Sequence, residues 1–192
     1  MLARTLGNYL AEGILDFPFR YLPEYLSTPD YTVGNLETSL GDIGTPAPKA
    51  YPFQSPVQSA EALALAGFDL VSLANNHAMD YGPEALLQGM GLLAEAGVAT
   101  VGAGATDAAA HTPHIAEVNG ITLAFLGYVH VPIEASSHFD VETWNATEAA
   151  PGLAWAYPER IRADVAAALP LADQVIVILH SGFEYIEEPS EP

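Results

Sequence analysis

Three apolar runs in this sequence each hand on to side chains that can hold a metal ion or move a proton. Val33-Gly34 leads into Asn35 and Glu37; Val71-Ser72-Leu73 leads into Asn75, Asn76, His77 and Asp80; Val177-Ile178-Leu179 leads into His180 and Glu184. Open α/β sheets collect their ligands in the crevice beyond the carboxyl ends of the strands. Imidazole, carboxylate and amide oxygen brought to one such edge are the donors that hard or borderline cations select. The chain has 0 cysteines, which excludes thiolate nucleophiles, disulfides and Cys-type zinc sites.

Each of these residues also has a plainer reading. Glu37 alone is a surface or capping carboxylate, Asn75-Asn76 alone is a turn, and His77 alone is a histidine at a helix start. Asp80 could cap the helix that begins near Gly82 and Pro83. His180 is harder to set aside, because an imidazole at the end of an apolar strand needs a partner. His111, His114, His130 and His138 fall in loops or near a hairpin and read as structural. Gly102 and Gly104 lack the GxGxxG spacing and read as a sharp turn. No GxSxG elbow supports a serine hydrolase.

The elements that must position these residues follow from local pattern. Phe68 to Leu73 and Gln174 to Leu179 read as buried strands, and Tyr31 to Val33 as a short one. His114 to Val118 and Ile121 to Tyr128 flank Asn119-Gly120, the preferred two-residue hairpin turn. Helices are expected at Pro56 to Ala66 with Ser55 as N-cap, at Pro83 to Ala96, and at Pro158 to Leu169, with Gly67 and Gly97 closing the first two. The first 26 or so residues read as helical pieces broken by Pro18 and Pro23. Residues 129–157 lack periodicity and read as a long excursion of the kind that is functional or mobile. The order implies an α/β fold.

At 192 residues the chain holds about one domain. Half of it is apolar (50 %) and 15 % is charged, which suits a globular core. Lys plus Arg is 5 against 24 Asp plus Glu, a net charge of −19 that repels nucleic acid and anionic lipid and tolerates cations. No run is long enough for a membrane span, and the first residues are too weakly apolar for a secretory signal. The chain as given reads as soluble.

Four motifs, GNLET (34–38), SLANNHAMDYG (72–82), VGAG (101–104) and HSGFEY (180–185), resemble the CapA type of capsule and poly-gamma-glutamate biosynthesis proteins. The resemblance runs from about residue 20 to residue 189. It implies a calcineurin-like metallophosphoesterase fold, a layered sandwich of β-sheets flanked by helices with a metal centre at the strand ends. Carried over by position, Asn76 and His180 ligate a divalent metal, and Glu37 with Asn35 supplies a bridging or nearby ligand. His77 contacts phosphate or acts as an acid, and Asp80 orients His77. Glu184 belongs to the last motif without an evident ligand role.

The family opens with a strand ending in Gly-Asp and continues to a GHxPH-like motif, and neither stands in residues 1–192. The expectation is therefore a single, partial domain lacking two edges of a metal site that holds two ions when whole. The function implied is a metal-dependent hydrolase of phosphoester or related bonds. The alternatives are a non-catalytic envelope component that binds or hands on an acidic polymer, or an inactive fragment. A polymer binder would need metal ions to bridge like charges, since the cations are only Arg4, Arg20, Lys49, Arg160 and Arg162. Expected partners are an anionic polymer or phosphoester substrate and membrane proteins of capsule synthesis, with no nucleic acid; the expected location is the cell envelope or its outer face.

Overall fold

A parallel sheet of three short strands builds the shared edge: Val33–Asn35, Leu70–Ser72 and Ala99–Val101, with Leu70–Ser72 in the middle. Asn35 is in register with Ser72, and Ser72 with Val101, so the chain leaves all three strands at one level. The computed structural model describes residues 2–134 and 138–183. A second sheet runs in the order Gln174–Ser181, Ile121–His130, His114–Val118. Its first pair is parallel, with Ser181 opposite His130, and its second pair is the expected hairpin. Asn119 (φ 51°) and Gly120 (φ 80°) both occupy the left-handed region that this turn demands.

The layers follow from side-chain alternation. Along Ile121–His130, Ala124, Leu126 and Tyr128 face helix Pro158–Ala168, where Ile161 and Val165 pack on them. Phe125 faces the other way, onto Leu70 and Val101 of the parallel sheet. Helices Ser59–Ala66 and Gly82–Glu95 contribute Leu63, Leu86 and Leu93 to the core that covers Val71 and Leu73. The result, among the described residues, is a mixed α/β sandwich of two three-stranded sheets, with three two-stranded pairs beside them, flanked by helices. Each fully buried side chain of this size contributes about 1.5–3 kcal/mol. The sheets touch at Gly102 and Gly127: a Cβ on Gly102 (φ +79°) would lie 2.5 Å from the Ala74 Cβ and 2.9 Å from the Gly127 carbonyl oxygen. The expected sharp turn at Gly102 is thus also a close approach. The outer helix is pinned by Asp164, which accepts from Tyr128 Oη (2.9 Å), His111 Nδ1 (2.7 Å) and Arg160 Nε (3.0 Å).

Three expectations shift. Ser55 does not cap a helix; it sits in a two-residue strand paired with Ser39–Leu40, its hydroxyl donates to the Ser39 carbonyl (3.3 Å), and the helix starts at Ser59. Ladder pairing in the first strand begins at Val33, because the Thr32 N–H is taken by the Asp69 carboxylate (2.6 Å) and the Tyr31 ring stacks on Phe125. Gln174–Ser181 is not a buried strand: among the described residues it pairs on one side only, and Ile176, Val177 and Leu179 are exposed. Within the 129–157 excursion, Ile133–Glu134 pairs antiparallel with Phe139–Asp140, and a 3₁₀ turn follows at Val141–Trp144. Among the described residues no helix is long and apolar enough to cross a membrane.

Candidate functional site

The loop after Leu70–Ser72 owes its shape to Asn75, which is fully buried. Its amide Nδ2 donates to Asn35 Oδ1 (2.9 Å) and to the Leu36 carbonyl (3.0 Å), while its Oδ1 accepts the His77 N–H (3.0 Å). One side chain thereby ties the first two strand-end loops together. Asn75 itself thus shapes the turn, and that turn carries Asn76 and His77.

Beyond these loops lies a cavity of about 550 Å³, lined among others by Arg4, Glu37, Asn76, His77, Glu134 and His180. His77 Nδ1 lies 2.7 Å from Asp80 Oδ2. A carboxylate only accepts, so Nδ1 carries the proton and Nε2 is left as the other face of the ring. Asp80 is fully buried and also accepts the Phe53 N–H (2.7 Å). Phe53 in turn meets the His77 ring edge-on, with centroids 4.8 Å apart.

Across the cavity, His180 Nε2 lies 3.0 Å from Asn76 Oδ1 and 3.7 Å from Glu37 Oε1. The Asn35 amide nitrogen stands 3.4 Å from His180 Nδ1, its oxygen being held by Asn75. Asn35 therefore turns its amide nitrogen, not its oxygen, toward the other candidate ligands. Burial pushes the His180 pKa down; the Glu37 charge opposes this and His77 adds to it, and the net direction is below the ordinary value.

Two further groups complete the site, and neither was singled out from the sequence. Lys49, the single lysine of the chain, has a side chain with no solvent exposure. Its Nζ reaches Asp80 Oδ1 at 2.5 Å and Glu134 Oε1 at 2.6 Å. Glu134 also accepts from Asn76 Nδ2 at 2.7 Å. The usable signals were the rarity of lysine in so acidic a chain and the aperiodic excursion that carries Glu134. Glu184 lies outside the described residues. His111 is buried against Asp164, and half-buried His114 faces Tyr31 Oη (2.9 Å), both serving packing.

Among the described residues no group of three or more His, Asp or Glu is arranged to hold a metal. The set that converges is one imidazole, one carboxylate and one amide oxygen, from His180, Glu37 and Asn76. That chemistry fits an oxygen- and imidazole-seeking divalent cation as a partial set of ligands. The remaining carboxylates, Asp80 and Glu134, are engaged by Lys49.

A model of the family described as bacterial capsule synthesis protein PGA_cap matches residues 1–192. The PGA biosynthesis protein CapA of Bacillus subtilis (strain 168) is 29 % identical over 195 residues, covering 100 % of this chain and 49 % of that protein. The capsule biosynthesis protein CapA of Bacillus anthracis is 30 % identical over 198 residues, covering 99 % of this chain and 46 % of that protein. The chain thus spans about half the length of these curated relatives. A crystal structure of a candidate 5′-nucleotidase from Staphylococcus aureus, in complex with alpha-ketoglutarate, is 17 % identical with a TM-score of 0.46, over 66 % of this chain and 23 % of that one. With the strand-end motifs in place and the family model matched from end to end, the chain belongs to the bacterial capsule synthesis protein PGA_cap family.

Proposed function

We propose that the cavity is a metal-assisted hydrolytic site for phosphoester or related anionic bonds, serving capsule-polymer synthesis at the cell envelope. One observation carries the reading: a carboxylate-oriented imidazole, His77, faces the converging His180, Asn76 and Glu37 donors across one cavity. A divalent ion held by Asn76, Glu37 and His180, with Asn35 behind them, would supply Lewis acidity. In its doubly protonated form His77 would hand the Nε2 proton to the leaving oxygen and return to the neutral ring, with Nδ1–H held by Asp80 throughout. Burial of Asp80 keeps that pairing dry and strong.

The test is elemental analysis of the purified chain, followed by turnover of bis(p-nitrophenyl) phosphate with added Mn²⁺. The expected result is bound metal that His180→Ala removes, and turnover that His77→Ala abolishes with metal retained. Both variants should stay folded, since His77 sits in the loop past Leu70–Ser72 and His180 is the next-to-last residue of the edge strand Gln174–Ser181, outside the buried core. Metal content unaffected by His180→Ala, together with no turnover, would sink the proposal.

A second reading, non-catalytic holding of an acidic polymer, is favoured by Arg4. Its guanidinium lies over the Phe53 ring (4.6 Å) and lines the same cavity. Retention of poly-gamma-glutamate without turnover, lost in Arg4→Ala, would select this reading.

A further inference from the structure

Two side chains with no part in the chemistry above determine how its parts are oriented. An amide has a donor end and an acceptor end, whereas a carboxylate only accepts. With Glu134 Oε1 2.7 Å from Asn76 Nδ2, the Asn76 oxygen must point the opposite way, toward His180 Nε2 at 3.0 Å. Without Glu134 only the His180 ring, itself facing the Asn35 amide nitrogen at 3.4 Å, would favour one end of that amide over the other.

Lys49 stands behind both halves of the site. An ammonium has three protons to donate, and Lys49 Nζ has three close acceptors: Asp80 Oδ1 (2.5 Å), Glu134 Oε1 (2.6 Å) and the Asn76 carbonyl oxygen (2.5 Å). The Trp144 and Phe139 ring centroids lie 4.8 and 5.8 Å from Nζ and close the remaining side. A buried charge persists only when paired and hydrogen-bonded, so neither carboxylate can drift without uncovering the ammonium. One cation therefore fixes Asp80, which orients His77, and Glu134, which orients Asn76.

We propose that Lys49 and Glu134 are the positioning pair of this site, coupling the proton-carrying imidazole to the metal-facing amide through one shared ammonium. The proposal rests on the metal-assisted reading above for what the amide is positioned toward. The orientation itself is readable without metal.

The experiment uses ¹⁵N-labelled protein and two readouts. The first is the Asn76 side-chain amide signal, assigned by its loss in Asn76→Ala. It should lie downfield in the parent chain and move to the ordinary amide range in Glu134→Leu. The second is Mn²⁺ affinity, which Glu134→Leu should weaken about 10- to 100-fold. The double variant Glu134→Leu with Asn76→Ala should bind no more weakly than Asn76→Ala alone. Lys49→Arg should preserve both readouts and Lys49→Met should lose both; if Lys49→Met does not fold, Glu134→Leu carries the test. An Asn76 signal unmoved by Glu134→Leu, or additive losses of Mn²⁺ affinity, would overturn the positioning role. A parent chain that binds no Mn²⁺ would overturn the metal reading instead, and the amide signal then decides the positioning role by itself.

Discussion

Lys49→Met should be among the most destabilising single substitutions available in this chain. Methionine fills nearly the same volume, so no cavity opens and the loss is electrostatic. Asp80 has no exposed side-chain surface and Glu134 only 9 %, and both would lose the Lys49 ammonium. Breaking a buried pair by removing one partner costs about 3–5 kcal/mol. With a urea dependence of about 2 kcal/mol per molar, the unfolding midpoint should fall by roughly 1.5–2.5 M. Trp144, whose ring is 4.8 Å from Nζ, gives a local fluorescence signal for the titration. Asp80→Asn in the Lys49→Met background should recover part of the loss, since it removes one uncompensated charge. A midpoint shift below about 0.5 M would refute the reasoning, because it would mean that water or rearrangement already compensates the carboxylates.

Other perturbations have equally definite outcomes. Asp164→Ala strips acceptors from Tyr128 and His111 in the core, and at about 1–3 kcal/mol per unsatisfied buried donor it should lower the Tm measured by calorimetry by roughly 5–15 °C. Gly102→Ala combines a left-handed φ of +79° with a 2.5 Å approach to Ala74, so overpacking adds about 1–3 kcal/mol to the backbone strain. Gly120→Ala, at φ +80° with nothing within 4 Å, should show in parallel urea titrations only the strain of about 1–2 kcal/mol. Burial lowers the His114 pKa from its ordinary 6.5, so as pH falls the unfolded chain takes up this proton first. The stability from the neutral ring, which faces Tyr31 Oη, is therefore full above the unfolded pKa and declines as pH falls toward the folded value; His114→Gln should flatten the difference between urea midpoints at about pH 7.5 and about pH 5.5.

Features governed by a few neighbouring residues were legible in the sequence. Asn119-Gly120 and the closing glycines 67 and 97 need positive φ, a local demand that the sequence announces and the backbone meets. The chain brings Glu37, Asn76, His77 and His180 to one cavity, with Asn35 beside His180, because the ends of the parallel sheet and of Gln174–Ser181 meet there. What was not legible depended on partners far along the chain. Ser55 satisfies every local rule for an N-cap, yet the Ser39 carbonyl claims its hydroxyl. The apolar run before His180 reads the same for a covered strand as for an edge strand. Lys49 carries no periodic signature at all, and only the fold brings it to Asp80 and Glu134.

The cavity works as a caliper whose jaws belong to different sheets. One jaw, at the end of the parallel sheet, carries Asn76 and His77; the other, at the end of Gln174–Ser181, carries His180. The screw that sets the gap lies elsewhere, where Gly102 meets Gly127 and Phe125 fills the space against Leu70 and Val101. A substitution in that layer is expected to change the spacing between His180 and Asn76 without altering any residue that faces the cavity. Under the proposed function, what the jaws hold in this chain is therefore open to tuning from the packing between the sheets, out of contact with the cavity.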